Sequence, residues 1–176
     1  MLFRSPGSLV HIGDQKVEEV LVKLWEYDEE RCRELSLHDS SDQKQQEGSN
    51  WWIEVTGLHE PQLIDALCQR FSLHALLIED ILNTKHRPKI EEYDNAFFVV
   101  LKLFSYDSSR KKVETEQVSI VFGDQFTLSF QERHGDPFEQ TRERLRNGKG
   151  KLRQRGADYL AHRLMDAVVE IGRAHV

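Results

Sequence analysis

The stretch AFFVVLKLF, residues 96–104, decides the architecture. Its residues are apolar at both odd and even positions, so as a strand it presents hydrophobic side chains to both faces of a sheet. Such a strand needs cover on both sides, which predicts an α/β fold: a three-layer α/β/α sandwich around a mixed parallel/antiparallel sheet. Downstream, Gln117–Phe122 and Phe126–Phe130 read as a hairpin around Gly123-Asp124. Upstream, Trp51–Thr56 and the alternating stretch Val17–Trp25 read as further strands, with a short one over residues 9–12.

The helices follow from caps and apolar spacing. Pro61 suits a first helical position, and Leu63, Ile64, Leu67 and Phe71 follow at helical spacing. A second helix is expected over 74–83, with nothing helical crossing Pro88. DPFE, residues 136–139, reads as a capping box with Asp136 as cap and Pro137 first, leading a helix to about Arg146. A longer helix is expected over 151–171, with Leu160, Leu164, Met165, Val168 and Val169 on its apolar side. Asp28 is placed as cap of a short helix over 29–35, and the polar residues 38–50 as a loop. That makes one domain of five to seven strands and about five helices. Its strand order is not legible.

Composition narrows the function. The chain has 176 residues, 39% hydrophobic and 31% charged, with a net charge of −6. An acidic balance argues against nucleic acid as a partner, because that affinity comes from basic charge meeting phosphate. Cys32 and Cys68 form no C-x-x-C pair, which suits a reduced setting. No segment approaches the roughly 20 apolar residues of a membrane helix, and the N-terminus lacks a signal peptide's apolar core.

Chemical candidates are few. Glu79 and Asp80 are adjacent carboxylates in an apolar helical stretch, flanked by Leu76, Leu77, Ile81 and Leu82. There a carboxylate must reach solvent, a local ion pair, another chain or a metal cation. Asp166, between Met165 and Ala167, poses the same question, and Asp158 sits eight residues before it on roughly the same side. Hard cations such as Mg2+ take oxygen ligands and keep several waters, so carboxylates on separate helices make a weak, wet site. His59, His74, His86, His134 and His162 are scattered, with no H-E-x-x-H, nucleophile elbow or Walker loop. The basic runs KHRPK (85–89) and RERLRNGKGKLRQR (142–155) read as protein-facing edges; NGKGK (147–151) is too weak to name a phosphate loop.

Several segments together carry a family resemblance. HALLIEDILNTKHRPKIEEYDNAFFVVLKLFSYD (74–107), EQVSIVFGDQFTLSFQE (116–132) and the stretch from Gly135 to Glu170 resemble the CorA family of magnesium and cobalt ion transporters. PGSLVHIG (6–13) and WWIEVTGLHE (51–60) extend the likeness; Ala75 stands where the family pattern has proline. The resemblance implies a cytoplasmic regulatory domain of a homopentameric inner-membrane channel, whose stalk helix, Gly-Met-Asn motif and membrane helices would follow this sequence. It implies regulatory Mg2+ or Co2+ ions between neighbouring subunits. Asp80 corresponds to the main ligand between subunits, and Glu79 and Asp166 to a second nearby position. No catalytic residue is implied. Residues 1–170 are expected to form the metal-sensing domain and IGRAHV (171–176) a truncated or foreign tail. A metal-free protein-interaction module, or a hydrolase built on Glu79, Asp80 and a histidine, are the rival readings.

Overall fold

The computed structural model describes residues 9–35, 44–107, 109–133 and 135–174. Seven strands form one sheet: β1 Leu21–Tyr27, β2 Cys32–Leu35, β3 Asn50–Thr56, β4 Lys89–Tyr93, β5 Ala96–Asp107, β6 Lys112–Gly123 and β7 Phe126–Gln131. Their order is β2-β1-β3-β7-β6-β5-β4. The β3–β7 pair is parallel and the other neighbours are antiparallel, which makes the sheet mixed.

The sheet is covered on both faces, for the reason residues 96–104 gave. Phe98 and Val100 of β5 enter a core with Ile53, Val55, Leu128 and Phe130. Helices α1 (Pro61–Gln69) and α2 (Ala75–Leu82) close that core with Ile64, Leu67, Leu77, Ile78 and Ile81. Val99 and Leu103 point the other way, into a core with Trp25, Trp52, Val118 and Ile120. There α3 (Glu139–Asn147) and α4 (Ala157–Ala174) supply Leu145, Leu160, Leu164 and Val168. The expected three-layer sandwich is the observed fold.

Four local expectations are corrected. Residues 29–35 are not helical: Asp28 Oδ1 accepts from the amides of Glu30 (2.8 Å) and Arg31 (2.7 Å), a side-chain-stabilised turn that starts β2. Residues 9–12 make only an isolated parallel bridge, Ile12 to Asn83. The helix expected from Pro137 starts at Glu139, with Phe138 at the cap position. Phe138 is anchored edge-on to Trp52 at 6.1 Å, and the Asp136 carboxylate pairs with Arg142 instead of capping. The helix expected from 151 starts at Ala157, because Arg153 folds the preceding turn back onto the carbonyls of Leu145 and Arg146. The edge strand β4 went unrecognised because its sequence, KIEEY, is mostly charged. Residues 38–43 of the polar 38–50 segment, His134 and the last two residues lie outside the described residues.

Candidate metal site

Helix α2 turns its apolar residues inward and leaves its carboxylates at the rim. Leu77, Ile78, Ile81 and Leu82 are buried, while Glu79 and Asp80 are half-buried. Its start is fixed without proline: His74 Nδ1 accepts from the Leu76 amide at 3.2 Å. The Ala75 departure therefore leaves the helix start in place. The chain leaves α2 at Asn83, crosses the KHRPK turn and enters β4 at the sheet edge.

That crossing brings a lysine and a histidine onto Asp80. Lys89 Nζ lies 2.6 Å from Oδ2 and His86 Nε2 lies 2.9 Å from Oδ1. Lys89 also donates to Glu91 Oε1 at 2.9 Å, and the Tyr93 hydroxyl donates to Glu91 Oε2 at 3.2 Å. Burial lowers the Lys89 pKa, but hydrogen bonds and charge from Asp80 and Glu91 outweigh it and hold the ammonium above its usual range. The Lys89 hydrogen bond, against a smaller opposing effect of burial, holds the Glu91 carboxyl below its ordinary value. Burial first, then the Glu91 charge, push the Tyr93 hydroxyl up to about 12. Lys89, Glu91 and Tyr93 belong to the unrecognised strand. The signal was the alternation of Lys89, Glu91 and Tyr93 on one face of KIEEY, next to an acidic helix end.

Glu79 has no ion pair or hydrogen bond to its carboxylate among the described residues, and its carbonyl accepts from the Asn83 amide at 3.1 Å. Asp166 sits on α4, where Arg163 Nη1 approaches to 3.0 Å and His162 Nδ1 to 3.4 Å. Asp158 accepts from the Tyr159 amide at the start of α4. Helices α2 and α4 lie on opposite faces of the sheet. One chain therefore does not bring Glu79 and Asp80 together with Asp166. Among the described residues no group of three His, Cys, Asp or Glu side chains is placed to hold a metal ion. The donor set is right for a hard cation, since it is all carboxylate oxygen, but a single chain supplies it incompletely.

Fold and site together define a mixed-sheet α/β/α domain that carries carboxylates at the rim of one helical layer. The chain belongs to the CorA family: the family model described as CorA-like Mg2+ transporter protein matches residues 47–175. Over 167 residues it is 38% identical to the cobalt/magnesium transport protein CorA of Thermotoga maritima, covering 94% of this chain and 47% of that protein. The chain thus spans about half the length of this relative. Two solved structures share the fold. The complete CorA magnesium transporter of Methanocaldococcus jannaschii matches with a TM-score of 0.65 at 11% identity, over 88% of this chain and 46% of that one. The ZntB cytoplasmic domain of Vibrio parahaemolyticus matches with a TM-score of 0.61 at 13% identity, over 87% and 58%. Among the described residues no helix is long and apolar enough to cross a membrane.

Proposed function

We propose that this chain is the cytoplasmic, Mg2+-sensing regulatory part of a membrane transporter for magnesium or cobalt ions, working as a homo-oligomer, a pentamer in the full-length protein. The observation that carries the reading is Asp80: a rim carboxylate whose present partners, Lys89 and His86, are side chains that a divalent cation can replace. Glu79 beside it has no ion pair among the described residues, and Asp166 lies on the opposite layer. A site that joins them is completed by a neighbouring copy.

The regulation is then a population shift. Carboxylates facing each other across an interface repel, and a divalent ion cancels that repulsion. When Mg2+ is plentiful, the state that holds the ion is favoured and the ring stays closed; when it is scarce, the subunits separate and the pore opens. Asp80 is nearest the ion, with Glu79 and Asp166 in support. A wet, incomplete site gives the weak affinity that a sensor of an abundant cation needs. The test is Asp80→Ala in the assembled full-length protein. Mg2+ is expected to protect the wild type from limited proteolysis, and the variant to need far more Mg2+ for the same protection. Unchanged protection would remove Asp80 from the sensor.

A further inference from the structure

We propose a second site: the pocket between α3, the turn over 148–156 and α4 binds the phosphate groups of an oligophosphate anion. The pocket has a volume of about 170 Å3 and is lined by Arg144, Lys149, Lys151 and Arg163, with the hydroxyl residues Thr141 and Tyr159. No carboxylate lines it. That is anomalous in a chain with 30 acidic and 24 basic residues. Among the described residues, Arg144, Lys149 and Lys151 have no carboxylate within ion-pair distance, and Arg163 alone has one, Asp166 at 3.0 Å. Converging cations of one sign repel, and an anion that enters among them relieves the repulsion. Charge-assisted hydrogen bonds from guanidinium and ammonium groups to phosphate oxygens are the strong kind.

The site is also built in advance. Gly148 and Gly150 have φ of 62° and 74°, so the turn uses two left-handed residues to fold back around Lys149. The Lys149 amide closes onto the Arg144 carbonyl at 3.0 Å. Leu152 is buried beneath the turn, and Arg153 ties it to the carbonyls at the end of α3. The sequence NGKGK alone could not name a phosphate loop; the two helices add the arginines that it lacks. Beside the pocket lies a groove of about 300 Å3 that shares Thr141, Arg144 and Arg163 and carries Asp136, Glu139 and Glu170. Those carboxylates repel further phosphate and can accept hydrogen bonds from sugar hydroxyls or amino groups. The arrangement has an anion end and an acceptor end, so free polyphosphate and a nucleoside polyphosphate are both chemically suited sources.

The test is calorimetric titration of the whole chain with tripolyphosphate and, separately, with ATP. Chelator is present, so that no divalent ion contributes. The expected result is one saturable site. The exposed pair Lys149→Gln/Lys151→Gln should weaken it roughly tenfold or more, the effect of losing charged hydrogen bonds, with the melting temperature of the unliganded chain unchanged. The equally exposed pair Lys111→Gln/Lys112→Gln, at the β5–β6 turn, should leave binding intact. Tighter binding of ATP supports the site with a nucleotide as its source, and equal binding supports it with phosphate alone. No saturable binding of either probe, or equal weakening by the two variant pairs, overturns the proposal.

Discussion

Two carboxylate–cation clusters sit in different surroundings. Glu54 and Arg142, which are 4% and 6% exposed, meet at 2.7 Å between β3 and α3, with Trp25 Nε1 donating to Glu54 at 2.7 Å and Asp136 on the other side of Arg142. Asp80 and Lys89 meet at a similar distance, 2.6 Å, but their side chains are 23% and 25% exposed at the sheet edge. Burial pushes the Glu54 carboxyl up against the pull of Arg142 and Trp25, the mark of a charge held away from water. The chemistry of the two pairs is the same, and the local dielectric separates their roles. A buried charge without its partner is severely destabilising, while a rim pair gives up little when solvent or another cation replaces one member. The first cluster fixes α3 to the sheet. The second is placed to exchange partners, which the proposed sensor role requires.

The contrast breaks most visibly at Arg142. Arg142→Ala should cost about 3–5 kcal/mol, because it strands Glu54 in the core. Urea unfolding reads this, and a loss no larger than that of an exposed pair would erase the distinction. Arg142→Met together with Glu54→Gln should cost much less than Arg142→Ala, since it leaves no uncompensated charge in the core; Asp136, whose side chain is 47% exposed, keeps its contact with water.

Glu26 sharpens the comparison in the acid range. It is 3% exposed and accepts from Gln46 N, Ser49 Oγ and Trp51 Nε1, each at 3.0 Å, and from Arg33 Nε at 2.8 Å. Burial raises its pKa, but those hydrogen bonds outweigh burial, and the folded value lies below the ordinary 4.5. A depressed carboxyl stabilises the fold above its unfolded pKa, and that stability is lost as pH falls from 4.5 through the folded value. Glu26→Gln should therefore cost about 1–3 kcal/mol at neutral pH, and the gap to wild type should narrow in acid. A gap that stays constant with pH would mean that the charge of Glu26 contributes nothing.

How much of this was legible depends on how local the cause is. Residues 96–104 announced both cores because a strand without a polar face has no other solution. Pro61 marked the start of α1 and Ile64 and Leu67 its buried side, while Phe71, placed on the same stripe, lies just past its end at Gln69. The helix expected over 29–35 failed for a local reason, the Asp28 turn, while other failures came from contacts further along the chain. Asp136 followed the capping pattern locally, yet Arg142, six residues on, captured its carboxylate. β4 lacks an apolar alternation because it is an edge strand, half of it facing the charged rim. For the site, the adjacent carboxylates Glu79 and Asp80 were visible as a puzzle in an apolar helix. Their partners were not, because Lys89 reaches Asp80 only once β4 has docked beside β5. The separation of Asp166 onto the opposite layer follows from sheet connectivity, which the sequence does not print.

The smallest effect on stability should come from a residue that touches the carboxylate on which the sensor reading rests. Lys89→Gln removes two partly exposed rim ion pairs, to Asp80 and to Glu91, and should change unfolding free energy by only about 1 kcal/mol. It also removes the cation that sits on Asp80 Oδ2. If Mg2+ must displace that ammonium, the variant should bind Mg2+ more tightly, and proteolytic protection of the assembled full-length protein should appear at several-fold lower Mg2+. Glu91→Gln should act in the opposite direction, moving protection to higher Mg2+, since it frees Lys89 to hold Asp80 alone. A Lys89→Gln protein with unchanged Mg2+ dependence would show that the ion does not compete for the Asp80 oxygen that Lys89 holds. Combined with a large effect of Asp80→Ala, that result would leave Asp80 a ligand through Oδ1, the oxygen facing His86.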